Sequence, residues 1–298
     1  MKAEIKAISR EEIHARQEDM RRRLDGRCQG LLEVTRSSAS DPDPFFRYKV
    51  DFPHRTVRDF LLTKNMQTML ADRIQSSFNP RLSLCNAFLA QMKALQYRRG
   101  RQGQDAMEDI FEDLVYYARE VEVHDGIAQV KLVDEAERVL IHHPILWTHR
   151  KHRNSFLDYV WGLQLYVTEK LTHQPESIHT EDDRPILDYV LNPMNPKRPM
   201  KSTYKRVISE QVVKLIFRCG ADPNQAWSGS TVWGRFISSL NKGNVPVKDA
   251  VFQVVDSLVR QGADLDYPVE SKTAREVIIR TFTPAQADCL LERAQARG

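Results

Sequence analysis

The sequence predicts a mainly α-helical chain: a β-hairpin near the amino terminus, an array of helices through the middle, and helix pairs at the carboxy end. Three observations carry this. Apolar residues recur at i, i+3, i+4 and i+7, clearest at Met107, Ile110, Phe111, Leu114, Ala118 and Val121. Two short runs, Leu31 to Thr35 and Tyr48 to Phe52, have strand character and are joined by the turn-rich SSASDPDP. After residue 200 a helix-plus-turn pattern occurs twice, at a spacing of 42 residues.

Taken in order, Ser9 and Glu12 form a capping box for a helix reaching about Asp25, with Ile13, Met20 and Leu24 as its apolar stripe. The hairpin follows. VDFPHRTVRDFLLTK, Val50 to Lys64, then turns an extended segment into a helix, with Pro53 in its first turn and Val57, Phe60 and Leu61 at core spacing. From Pro80 to about Leu171 the pattern is helical: Leu82, Cys85, Phe88, Met92 and Leu95 mark one helix, Met107 to Val121 a second, and Phe156, Val160, Leu163, Val167 and Leu171 another. Glu108, Asp109, Glu112 and Asp113 form the wet face of the second, a better account of them than an acid–base pair. His173 to Ser202, with five prolines, reads as a connector with a short helix around Ile186 to Leu191. Boundaries are placed at 1–77, 78–200 and 201–298.

Composition narrows function mainly by exclusion. The net charge of +4, from 44 basic and 40 acidic residues, is mild and interleaved, so it demands no polyanionic partner. Cys28, Cys85, Cys219 and Cys289 lie far apart without a CxxC pair, which suggests neither a zinc ribbon nor a disulfide framework. No uncharged apolar run approaches the roughly 20 residues that span a bilayer. A cytoplasmic setting is expected, with no membrane association.

The repeated segments are VVKLIFRCGADPN, ending at Asn224, and VVDSLVRQGADLD, ending at Asp266, with Thr231 and Thr273 in equivalent places. Gly220 and Gly262 fall just after the last helical residue, where a left-handed residue closes a helix with little strain. Asp222, Asn224, Asp264 and Asp266 supply the turns and the threonines open the next helices. This resembles a degenerate ankyrin repeat. The ankyrin period is about 33 residues, so the resemblance implies an inserted loop, Asn241 to Lys248, and Val232 and Trp233 replace the usual proline and leucine. So short an array must pack on the helices before it, and Val213, Ile216 and Phe217 are expected against Val255 and Leu258.

Phe52, His54, Thr56, Asp59, Phe60 and Leu61 form F-x-H-x-T-x-x-D-F-L, which resembles the end of the winged-helix domain in fungal NACHT-type, NLR-like (STAND-class) NTPases. There a helical region and often ankyrin repeats follow, the order found here. The resemblance implies that a histidine at the position of His54 contacts a phosphate of bound ADP when an NTPase domain is present. This chain has no GxxxxGK[ST], and its twelve glycines are nowhere grouped to cradle a phosphate. The NTPase domain is missing, so no cofactor is expected. In the chain alone His54 is expected to satisfy a backbone carbonyl or the Asp59 carboxylate, with Arg55 and Arg58 exposed on the helix.

Other chemistry is less well supported. His142, His143, His149 and His152 suggest a metal-dependent hydrolase, but no HExxH occurs and no carboxylate joins at ligand spacing. The basic runs around Arg98, Arg99 and Arg101 and from His149 to Arg153 read as solvated surface. Arg21, Arg22, Arg23 and Arg27 could serve a winged-helix nucleic-acid reader, yet Glu11, Glu12, Glu18, Asp19 and Asp25 flank them. The leading expectation is therefore a non-enzymatic regulatory segment that binds protein partners, among them a NACHT NTPase domain in cis or in trans.

Overall fold

The computed structural model describes residues 5–6, 8–36, 47–74, 78–95, 101–142, 160, 162–173, 184–192, 208–243 and 249–296, with backbone alone for 101–105. The chain is mainly helical, with three antiparallel two-stranded sheets among these residues. It divides into two compact units, Met1–Leu114 with Arg138–His143, and Val115–Glu137 with Pro144–Gly298.

In the first unit α1 spans Arg10–Cys28 and β1 and β2 span Glu33–Arg36 and Tyr48–Asp51. The Ser9 hydroxyl accepts from the Glu12 N–H at 3.2 Å, but the Glu12 carboxylate turns to Arg16 at 2.7 Å. The capping box is thus half made. Of the expected stripe only Ile13 is buried, whereas Met20 is 53% exposed and Leu24 half-buried. β1 and β2 pair with Val34 opposite Val50, and α1 packs on β1.

The next two helices correct the sequence reading. α2, Arg55–Leu61, starts two residues later than a first turn at Pro53 would place it, because His54 is its N-cap. α3 spans Lys64–Arg73; α2 and α3 pack on one another and neither contains a buried residue. Phe60, expected in the core, is 56% exposed, and Val57 and Leu61 are only half-buried. Helical spacing gave these residues a common side, but in the seven-residue α2 none of them is buried.

α4, Pro80–Ala94, is opened by the Asn79 side chain, which accepts from the Leu82 N–H at 3.0 Å, with Pro80 in the first turn. Its buried apolar residues are Cys85, Leu89 and Met92, followed by Leu95, so Leu89 replaces the expected Phe88. The amino-terminal segment crosses its end, with Lys6 N–H donating to Lys93 O and Ile8 N–H to Ala94 O at 3.2 and 3.3 Å. α5, Arg101–Asp125, contributes Met107, Ile110, Phe111 and Leu114 to this core, all buried as their periodicity predicted. The Cys85 thiol lies 3.9 Å from Leu114 O, and burial pushes its pKa up to about 12, so it is an inert core group. All four cysteines are free thiols.

In the second unit the remainder of α5 buries Val115, Ala118 and Val121, and α6, Val130–His142, buries Leu132, Val133 and Ala136. α7, Gln164–His173, has no capping side chain of its own at its start. The Glu122 carboxylate does that work across 43 residues, accepting from the N–H groups of Leu165 and Tyr166 at 3.1 and 2.7 Å. Glu122 is 7% exposed, and burial raises its pKa although these backbone bonds pull it down. Asp134 receives the Tyr166 hydroxyl at 2.9 Å and the Lys170 ammonium at 3.2 Å, fixing α7 against α6. Val160, Leu163, Val167 and Leu171 are buried as expected; Phe156 lies outside the described residues.

α8, Ile186–Leu191, packs on α9, Glu210–Arg218, and on α10, Val232–Asn241. α11 spans Asp249–Arg260, α12 Ala274–Thr281 and α13 Pro284–Gln295. α9 stacks on α11, α10 on α12, and α11 on α13. Val213, Ile216, Val255 and Leu258 are fully buried on the stacked helices, with Phe217 half-buried at the margin.

Candidate functional site

The carboxy-terminal part is assembled from one hydrogen-bonding plan used twice. In the first copy Ala221 N–H bonds Ile216 O, Val232 N–H bonds Gln225 O, and Trp233 N–H bonds Pro223 O. In the second, at an offset of 42 residues, Ala263 bonds Leu258 O, Ala274 bonds Tyr267 O, and Arg275 bonds Leu265 O. Gly220 and Gly262 close the preceding helices at φ of +86° and +87°, which only glycine adopts cheaply. The Asp222 carboxylate accepts from Asn224 N–H at 2.8 Å and Asp264 from Asp266 N–H at 2.9 Å, two Asx turns.

Each turn leads into a two-strand finger. β3 and β4, Ala226–Trp227 and Ser230–Thr231, match β5 and β6, Pro268–Val269 and Lys272–Thr273. Ser228 and Gly229, and Glu270 and Ser271, form the exposed tips, with Ser228 and Glu270 at φ of 51° and 56°. Thr231 and Thr273 then cap α10 and α12 by accepting from the N–H groups of Gly234 and Glu276 at 2.9 and 3.3 Å.

The two copies are tied by side chains. The Asn224 amide donates to Gly262 O at 2.6 Å and accepts from Asp264 N–H at 3.0 Å. The Trp233 indole N–H donates to Asp264 O at 2.7 Å, and the Tyr267 and Ser230 hydroxyls meet at 2.8 Å. Gly234 gives the Tyr267 ring its place: a Cβ there would fall 2.3 Å from two ring atoms. Nothing in the sequence marked Asn224 as more than a turn former. Trp233 was visible only as a departure from the repeat pattern.

A second cluster went unread. Arg184 and Asp188, one turn apart, are both fully buried and bonded at 2.7 Å. Arg184 also donates to Asn192 O at 2.6 Å and stacks 3.9 Å over the Tyr189 ring. Arg235 of α10 reaches Asp188 at 3.2 Å, and the Asn192 amide donates to Val232 O at 3.0 Å. These polar bonds seat α8 on the start of the first copy. The signal available was R-P-I-L-D, an i, i+4 pair that ordinarily lies on a surface.

Among the described residues, Phe52, His54, Thr56, Asp59, Phe60 and Leu61 do not converge on a site. His54 Nδ1 accepts from Thr56 N–H at 3.2 Å and sits 2.8 Å from the Thr56 hydroxyl. Among the described residues it bonds neither the expected carbonyl nor Asp59, because an imidazole just before a helix is well placed to take a first-turn N–H. Asp59 is held by Arg55 and Arg58 at 3.2 and 3.3 Å, both arginines exposed. Phe52 is half-buried, with its N–H on the Asp51 carboxylate at 2.9 Å.

In α1, Arg22 and Arg23 face Glu18 and Asp19 at 3.9 and 2.8 Å, which dilutes the basic run. His142 ends α6; His143, His149 and His152 lie outside the described residues. Among the described residues no group of three or more His, Cys, Asp or Glu is placed to hold a metal ion, and no helix is long and apolar enough to cross a membrane.

Residues 2–102 match the model of a family described as "Domain of unknown function (DUF7791)". That stretch runs from before α1, through the hairpin and α2 to α4, to the first residues of α5. Comparison with curated proteins and with solved structures returned no match.

Proposed function

We propose that this chain is a non-catalytic regulatory and protein-interaction segment, of the kind found toward the carboxy terminus of fungal NACHT-type, NLR-like proteins, with a degenerate ankyrin-like array as its partner-facing end. The observation that carries the reading is the duplicated turn-and-finger plan. Its backbone bonds and its Asn224 and Trp233 ties make a rigid stack, while the tips at Ser228–Gly229 and Glu270–Ser271 stay exposed. A stiff scaffold that presents short exposed tips suits recognition of another protein. The partner class is a folded protein in the cytoplasm, including a NACHT NTPase domain in cis or in trans. His54 supports the same reading, since its ring nitrogen is engaged as a helix cap.

The test begins at the 5′ end of the native transcript. If an in-frame upstream region encodes a strand, GxxxxGK[ST] and a helix, the longer protein is made and its nucleotide hydrolysis measured with and without Ser228→Arg and Glu270→Arg. The proposal expects the tip changes to alter hydrolysis without altering folding; indifference to them counts against a regulatory role for the fingers. Nucleotide hydrolysis by the 298-residue chain alone, lost in His54→Ala, would sink the non-catalytic reading.

A further inference from the structure

A cleft of about 170 Å³ opens in the first unit between α1 and the hairpin. Its floor is apolar: Met20, Leu24, Val34, Tyr48 and Val50. Its polar rim is formed by His14, Gln17, Glu18 and Arg21, with Glu18 and Arg21 as the acid and the permanently charged base. Met20 and Val50 are 53% and 48% exposed, so within the first unit this floor is poorly covered by the described residues. We propose that the cleft is a self-association surface, closed by a second copy of this chain across a two-fold axis.

The charges make the surface complementary to itself. Glu18 and Arg21 lie about one helical turn apart along α1 and line the same cleft. A two-fold axis crossing α1 midway between them brings Glu18 of one copy to Arg21 of the other, and the reverse, so both pairs form at once. A partner of a single charge sign would satisfy one of the two and repel the other. Both side chains are available for this. Arg21 has no partner among the described residues, and Glu18 has only Arg22 at 3.9 Å, an arginine whose side chain is 78% exposed.

The cleft volume points the same way. It is close to that of an engineered apolar cavity, about 150 Å³, that takes one benzene-sized group. So small a space is closed by little, and Met20, unbranched, adaptable and beside the proposed axis, packs where the two floors meet. The patch is confined to one helix and one hairpin, and small interfaces hold weak, transient complexes. The dimer is therefore weak and reversible, forming in the micromolar range.

Sedimentation velocity of the full chain over a series of concentrations tests this. The expected result is a monomer–dimer equilibrium that shifts toward monomer with added salt. Glu18→Arg and Arg21→Glu should each weaken the dimer about tenfold or more, since each sets like charges face to face twice. The double variant restores opposite charges and should return association to near the wild-type level. Met20→Glu should leave only monomer, with far-UV circular dichroism showing that the helices persist. Should Met20→Glu fail to fold, the three charge variants, at half-buried Glu18 and exposed Arg21, still decide. A chain that stays monomeric at every concentration in low salt overturns the proposal, as does a dimer indifferent to the single charge changes or a double variant that remains dissociated.

Discussion

Gly234→Ala separates what helix propensity says from what this structure says. Gly234 is the third residue of α10, where alanine should stabilise a helix by about 1 kcal/mol. The added Cβ would lie 2.3 Å from Cε1 and Cζ of Tyr267 and 2.6 Å from its hydroxyl oxygen. All three belong to the far end of a half-buried side chain, so the ring swings out and the backbone stays. That movement breaks the hydroxyl contact with Ser230, about 1 kcal/mol, and forfeits ring packing worth about 1 to 2 kcal/mol. Against the propensity gain the net cost is about 1 to 2 kcal/mol. Urea unfolding of wild type, Gly234→Ala, Tyr267→Ala and the double variant measures it. With the ring gone, Gly234→Ala should turn from destabilising to stabilising. If alanine stabilises the wild-type chain, or if its effect has the same sign and size beside Tyr267→Ala, then the ring does not hold Gly234 in place.

Four further outcomes follow from named residues. Asp188→Ala should cost about 3 to 5 kcal/mol in urea unfolding, because it strands the fully buried Arg184 guanidinium, while Arg184→Met with Asp188→Leu should cost less than either single change. Burial holds the Glu122 pKa above its ordinary 4.5, so the folded state binds the proton more tightly. Its contribution is complete below 4.5 and is lost as pH rises through the folded pKa; Glu122→Gln should thus gain on wild type as pH climbs from 4.5, in urea midpoints taken at intervals of pH. Phe60→Ala, at an exposed position, should cost under about 1 kcal/mol, against about 3 to 5 for the fully buried Phe236→Ala. His54→Ala should speed hydrogen exchange at the Thr56 amide with little change in global unfolding, since it frees that N–H in a helix with no buried residue.

The sequence was most legible where burial itself writes the pattern. Met107 to Val121 recur at helical spacing because most positions between them, Val115 apart, face away from the core, and all six are buried. The hairpin and the helix at Ile186–Leu191 were legible for similar local reasons. The same logic misled at Phe60: periodicity shows that a helix has an apolar side, not that another element covers it. Contacts between distant polar groups leave no periodic trace at all. Glu122 caps a helix that starts 42 residues further on, and Arg184 and Asp188 use a surface-like spacing inside the protein.

The repeats show how a residue's neighbour, more than its own type, fixes its role. Asn224 and Trp233 bond the backbone at Gly262 and Asp264, the next turn in the stack. Their counterparts 42 residues on are Asp266 and Arg275, and within the described residues these meet no further turn of that kind. Neither could repeat the tie in full. A carboxylate cannot donate to a carbonyl as the asparagine amide does, and an arginine lacks the flat apolar body that lets Trp233 stay fully buried. Arg275 and Asp266 instead face one another at 3.8 Å, an exposed ion pair that by itself adds little stability. Among the described residues, the bridging residues of the first copy are those that have a following turn to bond. Sequence identity between two such units therefore understates their structural identity at just the positions that join them.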